Sequence, residues 1–358
     1  MTDDPWEATP LRRRAGKPRV STIAEVARRA HVSPATVSRV MNGRFVGDPE
    51  VAERVRRAAA ELNYSPSPLA RSLALGETRT VAFVVPDIGN PTFQAILSGL
   101  SKSAAADGYR VLIADSTEDP EEEAALAVET RRACDGLVLC APRMSDERLH
   151  ALLPVLRPVL LINRGGARVD APSLSVDAPS LSVDYALGIQ HLADHLYGLG
   201  HRHFVYLEGP APSPANQARI EGLHAFASRV GDVRIDHVPA GSGSAEGYRC
   251  GEAVRASGAT AVLAFNDLVA VGLMSALAEL GVEVPRDVAV AGFDDIPLAR
   301  YVTPRLTTVS VPYEPLGTEA WKRLHTLIKG EPLSHDLTFQ PRLQARDSTG
   351  PPLRVPVD

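Results

Sequence analysis

Cysteine is nearly absent. Three residues in 358, at positions 134, 140 and 250, have no CxxC spacing and no histidine at zinc-finger distance, so Cys134, Cys140 and Cys250 read as reduced structural thiols. No apolar run approaches the roughly 20 residues that span a bilayer. The N-terminal Asp3, Asp4, Trp6, Glu7, Arg12, Arg13 and Arg14 leave no apolar signal-peptide core, so no membrane partner or export is expected and the expected location is the cytoplasm. There is no Walker sequence, and Gly241-Ser242-Gly243-Ser244-Ala245-Glu246-Gly247 has the wrong spacing for a dinucleotide loop. His191-Leu192-Ala193-Asp194-His195 could place two imidazoles on one helix face, but it lacks the glutamate that follows the first histidine in a zinc protease and reads as a polar helix surface. No catalytic residue, metal site or cofactor is expected, and the chain does not read as an enzyme.

With 44% hydrophobic and 23% charged residues, the chain can bury two or three cores and reads as a soluble multidomain protein. Its net charge of -5 hides an asymmetry. Residues 11–80 hold fourteen basic and six acidic side chains, whereas residues 81–358 hold twenty-four and thirty-four. A basic head on an acidic body points to a polyanion partner for the head alone.

Within the head, Ile23, Val26, Ala27 and Ala30 fall at helical spacing, and His31 and Val32 form a turn. Ser33 suits an N-cap and Pro34 a first helical position, starting a second helix that turns Val37, Val40 and Met41 inward. Asp48 and Pro49 repeat this start for a third helix striped by Val51, Val55, Ala58, Ala59 and Leu62. The second helix leaves Ala35, Thr36, Ser38 and Arg39 outward. Small groups let a backbone approach DNA, hydroxyls suit phosphates, and a guanidinium can grip guanine O6 and N7.

From Val81 on, apolar runs (81–85, 111–114, 137–140, 159–162, 204–207, 261–265 and 288–293) alternate with amphipathic segments, several stopped by Gly108, Gly200 or Gly281. Such alternation predicts parallel sheets covered by helices, with ligands at the carboxyl ends of strands.

Thr22-Ile23-Ala24-Glu25-Val26-Ala27, followed by Val32-Ser33-Pro34-Ala35-Thr36-Val37-Ser38-Arg39-Val40-Met41-Asn42-Gly43, closely resembles the signature of the LacI/GalR family. Leu62-Asn63-Tyr64-Ser65-Pro66 resembles the stretch closing that family's third helix, and Ser67-Pro68-Leu69-Ala70-Arg71-Ser72-Leu73-Ala74 its hinge helix. The resemblance implies an all-α helix-turn-helix head that binds double-stranded, palindromic operator DNA as part of a homodimer. Thr22, Ser33, Pro34, Ala35, Thr36, Ser38, Arg39 and Asn42 are its expected contacts, with Ala70 and Leu73 from the hinge, Leu73 wedging into the minor groove. The tail past Asp347 carries no leucine heptads, so a dimer rather than a tetramer is expected.

The same resemblance implies an α/β periplasmic-binding-protein-like body of two doubly wound lobes. Domains are expected at 1–19 (flexible tail), 20–65 (DNA-binding), 66–78 (hinge and linker), 79–347 (effector binding and dimerisation) and 348–358 (flexible tail). Crossings between lobes are expected near 183–185, 301–304 and 330. Strand-end motifs matching the family's effector site nominate Asn90, Phe93, Asn163, Arg164, Arg219, Asn266 and Asp294. Amides, carboxylates and guanidinia over an aromatic face suit a sugar-like effector.

Two features depart from the family. Gly241-Ser242-Gly243-Ser244 stands where many relatives place an aromatic, which removes an expected stacking wall. Asp170 to Val176 is repeated verbatim at Asp177 to Val183; a seven-residue shift swaps strand faces, so one copy is expected to loop out. The expected function is transcriptional regulation, most simply repression, under control of a small molecule. A transport-type solute-binding protein is the alternative, which the head argues against.

Overall fold

A computed structural model describes residues 21–64, 77–164, 178–333 and 336–353. The chain divides into two compact units, Met1–Thr78 and Arg79–Asp358.

In the first unit, α1 (Ile23–Ala30) starts with a capping box: the Thr22 hydroxyl accepts from the Glu25 amide while the Glu25 carboxylate accepts from the Thr22 amide. α2 (Pro34–Met41) begins at Ser33, whose hydroxyl accepts from the Thr36 amide, and α3 (Pro49–Glu61) at Asp48. Val26, Ala27, Ala30, Val37, Val40, Val55, Ala58 and Ala59 close one small core. Ala52, rather than the expected Val51, is buried on α3.

The second unit opens with β1 (Thr80–Val85), α4 (Pro91–Ala106), β2 (Arg110–Asp115), α5 (Pro120–Ala133), β3 (Gly136–Cys140), α6 (Asp146–Leu156), β4 (Val159–Ile162) and β5 (Ser180–Val183). α7 (Tyr185–Gly198), β6 (His203–Glu208), α8 (Pro214–Val230), β7 (Arg234–Pro239), α9 (Ser244–Arg249), α10 (Gly251–Ser257), β8 (Ala261–Ala264), α11 (Asp267–Glu279) and β9 (Ala289–Ala291) follow. Last come β10 (Thr308–Ser310), α12 (Tyr313–Ile328), β11 (Leu337–Phe339) and β12 (Arg342–Gln344). The amino-terminal lobe has a parallel sheet in the order β11-β5-β4-β3-β1-β2, the carboxyl-terminal lobe a parallel sheet in the order β7-β6-β8-β9, and β10 pairs antiparallel with β12. Val81 to Val85 are fully buried, as a strand covered by helices on both faces requires.

The chain crosses between lobes at Asp184, at the β10 to α12 step, and between β11 and β12. The second and third crossings differ from the expected 301–304 and 330. Residues 297–300 form a 3-10 turn within the carboxyl-terminal lobe, and Gly330 only ends α12, after which β11 still adds to the amino-terminal sheet. α12 lies backbone to backbone on α4: a Cβ on Gly99 would overlap the Glu314 carbonyl, and one on Gly317 the Ile96 carbonyl. That contact sets the start of α12 beside the start of α4.

The second copy of the repeated heptapeptide supplies β5, pairing Ser180 with Leu161 and Leu181 with Ile162; the first copy lies outside the described residues. Beyond Asp347, the expected flexible tail is packed over its first residues. Ser348 is fully buried, its hydroxyl donating to the Val290 carbonyl at 2.6 Å and accepting from the Thr307 amide at 2.8 Å. The three cysteines are buried and free, and burial pushes the Cys134 thiol up to about 11.

Candidate functional site

In the second unit, the carboxyl ends of β4, β5, β8 and β9 converge on one arginine. Arg219 on α8 is 2% exposed, its guanidinium 4.0 Å from the ring centre of Phe293, 4.5 Å from Tyr185 and 4.6 Å from Phe265. Its Nη2 stands 3.8 Å from Oδ1 of Asp294, beyond direct hydrogen-bond reach. Its Nε and Nη1 are buried without a hydrogen-bond partner among the described residues.

Asp294 is the centre of the polar arrangement. Oδ1 accepts from the Tyr313 hydroxyl at 2.6 Å and Oδ2 from the Thr92 hydroxyl at 3.1 Å. Burial pushes its carboxyl up from the ordinary range, against the opposing pull of Arg219, Tyr313 and Thr92. On the opposite side, Asn163 donates from Nδ2 to the Tyr185 hydroxyl at 2.8 Å and accepts the Val183 amide on Oδ1. Asn90 caps α4 by accepting the Thr92 amide at 3.0 Å, which leaves the Thr92 hydroxyl free to turn toward Asp294. Phe93 is buried in the core beside it.

Asn163, Arg219 and Asp294, nominated from the sequence, are therefore brought together, with Asn90 acting on the group through Thr92. Of the other three, Phe93 packs into the hydrophobic core and two make their bonds elsewhere. Arg164 is turned to the 142–146 loop, donating to Asp146 and to the Pro142 and Met144 carbonyls, because those acceptors lie within reach of its fork. Asn266 caps α11 through the Val269 amide and donates to the Ser242 carbonyl, so its amide group holds the Gly241 to Ser244 loop. Sequence reasoning missed Thr92, Tyr185, Phe265, Phe293 and Tyr313. Tyr185, Phe265 and Phe293 each stand one or two residues beyond a strand, and that position was the available signal. These three rings close round the Arg219 guanidinium.

A cavity of about 260 Å³ opens beside this junction, lined by Pro91, Thr92, Asp294, Ile296, Pro312 and Tyr313 among others. Asn216, one turn before Arg219, accepts from the Tyr206 hydroxyl and the Gly209 amide and fixes the start of α8.

In the first unit, Ser33, Pro34, Ala35 and Arg39 are exposed on α2, with Thr36 and Ser38 half-buried. Arg39 makes only a long bond, 3.4 Å from Nε to the Ala35 carbonyl, and its two terminal amino groups have no partner among the described residues. Asn42 folds back on Ser38, and Thr22 caps α1. The hinge contacts Ala70 and Leu73 lie outside the described residues. No helix among the described residues is long and apolar enough to cross a membrane.

Residues 22–67 match the family described as bacterial regulatory proteins, lacI family, and residues 193–349 match the periplasmic binding protein-like domain. The ribose operon repressor of Haemophilus influenzae is 31% identical over 338 residues, 92% of this chain and 98% of that protein. The lac repressor dimer, solved bound to operator and the anti-inducer ONPF, superposes with a TM-score of 0.81 at 25% identity, covering 93% of this chain and all of that one. A LacI family transcriptional regulator from Enterococcus faecium, solved with bound ribose, superposes with a TM-score of 0.66 at 27% identity over 76% of this chain and 99% of that one. These relatives are transcription regulators, in keeping with the absence of an enzymatic motif in the sequence. With a matching head, a matching body and a relative aligned over nearly its whole length, the chain belongs to the lacI family of bacterial regulatory proteins.

Proposed function

We propose that the chain is a cytoplasmic, sequence-specific DNA-binding repressor, acting as a dimer, whose operator affinity is set by a sugar or sugar derivative held between the lobes at Arg219 and Asp294. The observation that carries the effector part is the pair of guanidinium nitrogens on a buried Arg219 that have no partner among the described residues. Leaving buried donors unmade costs about 1–3 kcal/mol per group. A polyol would offer them acceptor oxygens, offer Asp294 hydroxyl donors, and lay its C–H faces against the three rings. The ribose named in one relative and bound in a structural neighbour supports the sugar class.

The free guanidinium fork of Arg39 supports DNA reading, since a bidentate grip on guanine needs both terminal amino groups. One short recognition helix reads too few bases alone, so a twofold operator and a dimer follow. Leu298, 43% exposed, and Tyr301, 80% exposed, give the carboxyl-terminal lobe apolar surface for a second copy. A solute that binds the two lobe arrangements unequally by about 1–3 kcal/mol would change operator affinity roughly 5- to 150-fold.

The test begins with a thermal-shift screen of sugars and a palindrome selected from random DNA. The responsive sugar is then titrated onto the DNA complexes of wild type, Arg219→Ala and Asp294→Ala. Both variants are expected to lose the response; an unchanged response in both would move the effector site elsewhere, and failure of the wild type to retain any DNA would favour the solute-binding alternative.

A further inference from the structure

Asp294 stands in a backbone conformation that needs support. Its φ is 111° and that of the following Asp295 is 56°, two consecutive non-glycine residues in the region that L side chains disfavour. The turn that carries them is bracketed by one neighbouring residue. The Asp267 amide donates to the Phe293 carbonyl at 2.9 Å, and Oδ2 of Asp267 accepts from the Ile296 amide at 2.8 Å. Oδ1 of the same carboxylate accepts from the Thr308 hydroxyl at 2.6 Å, and that hydroxyl accepts in turn from the Asp295 amide at 3.3 Å. Between these points the Gly292 and Asp294 amides donate to the Thr307 and Val309 carbonyls. Gly292 admits the carboxylate, since a Cβ there would overlap Oδ1 of Asp267.

Asp267 is fully buried, although it is the first residue of α11, where an aspartate ordinarily faces solvent. Capping does not explain it, because Asn266 already accepts the Val269 amide. A buried carboxylate with no ion-pair partner among the described residues persists where hydrogen bonds offset its desolvation. Here each carboxylate oxygen accepts one such bond, Oδ2 from the turn and Oδ1 from the crossover strand β10.

We infer that Asp267 is the positioning residue of the effector cleft: its carboxylate holds the 292–296 turn in the conformation that aims Asp294 at Arg219, and fastens that turn to the β10 crossover. This rests on the reading that Arg219 and Asp294 bind the solute. Without the carboxylate, the Ile296 amide and the Thr308 hydroxyl lose their acceptor and the turn relaxes toward negative φ, carrying Asp294 off its aim. An asparagine keeps the geometry, because its amide oxygen accepts from Ile296 while its amino group donates to a rotated Thr308 hydroxyl.

The test uses Asp267→Ala, Asp267→Asn, Thr308→Val and Arg219→Ala in the full chain. Hydrogen exchange of the 292–296 amides is measured first, on protein without sugar. Exchange is expected to quicken at least tenfold in Asp267→Ala, to quicken less in Thr308→Val and to stay near wild type in Asp267→Asn; unchanged exchange in Asp267→Ala overturns the clamp whatever any sugar does. Titration with D-ribose follows, with at least tenfold weaker binding expected in Asp267→Ala and rescue to within about threefold of wild type in Asp267→Asn. An asparagine variant as damaged as the alanine would overturn a geometric role. Loss of D-ribose binding in Arg219→Ala but not in Asp267→Ala would overturn this proposal and leave the cleft reading standing, whereas unaltered D-ribose binding in Arg219→Ala would overturn the cleft reading itself.

Discussion

The Thr92 hydroxyl donates to Oδ2 of Asp294 across 3.1 Å, joining the first turn of α4 in the amino-terminal lobe to the turn after β9 in the carboxyl-terminal lobe. With the Tyr313 bond on the other oxygen, this contact ties the two lobes together beside Arg219. A hydrogen bond to a charged group contributes about 1.5–3 kcal/mol, and some of that must be given up for the cleft to open. Thr92→Val is therefore expected to raise the association rate of the responsive sugar by about fivefold or more, the factor that ~1 kcal/mol gives. Stopped-flow measurement of the rate decides it; a rate equal to wild type would mean that this contact does not gate entry.

For the head, Arg39→Ala is expected to weaken binding to the selected palindrome by about 1–3 kcal/mol and to relax base choice at one position of each half-site. Binding to random DNA should fall far less. Equal losses on both DNAs in a quantitative gel shift would reduce Arg39 to a phosphate contact.

The heptapeptide repeat offers a test with a useful degeneracy, because deleting 170–176 or 177–183 leaves the same chain. Since one copy suffices for β5 and leads directly into Tyr185, the deletion is expected to give soluble dimer with a melting temperature within a few degrees of wild type. Aggregated protein on size exclusion would show that both copies are needed.

Acid stability should depend on two histidines that tie the end of the chain to the carboxyl-terminal lobe. His201 bonds to the Thr260 hydroxyl and the Gly350 carbonyl, and His195 to the Thr349 hydroxyl. Burial lowers the pKa of both below the ordinary value, so the unfolded chain binds more protons than the folded one. Their contribution is fully present above about pH 6.5 and is lost as pH falls below it. Melting temperature between pH 7.5 and 5 is expected to fall more steeply in wild type than in His201→Asn; parallel curves would count against the assignment.

The three head helices, the alternating body and the meeting of Arg219 with Asp294 were legible in the sequence because each rests on local chemistry. An N-cap followed by proline, an apolar stripe of period 3.6, and a motif at the end of a strand are all written within a few consecutive residues. Three things were decided only by tertiary structure. Arg164 and Asn266 carry the right side chains at the right strand ends, yet nearby carbonyls, a carboxylate and a helix terminus take their donors and acceptors first. Thr92 and Tyr313 reach Asp294 from 202 and 19 residues away in sequence, because Gly99 and Gly317 let α4 and α12 touch along their backbones. Ser348 looked like the start of a loose tail and is instead buried by bonds to Val290 and Thr307, partners that no sequence period connects to it. Sequence fixes what a side chain can offer, whereas the competition for its donors and acceptors is settled by which distant segments the lobes and crossovers bring within three ångströms of it.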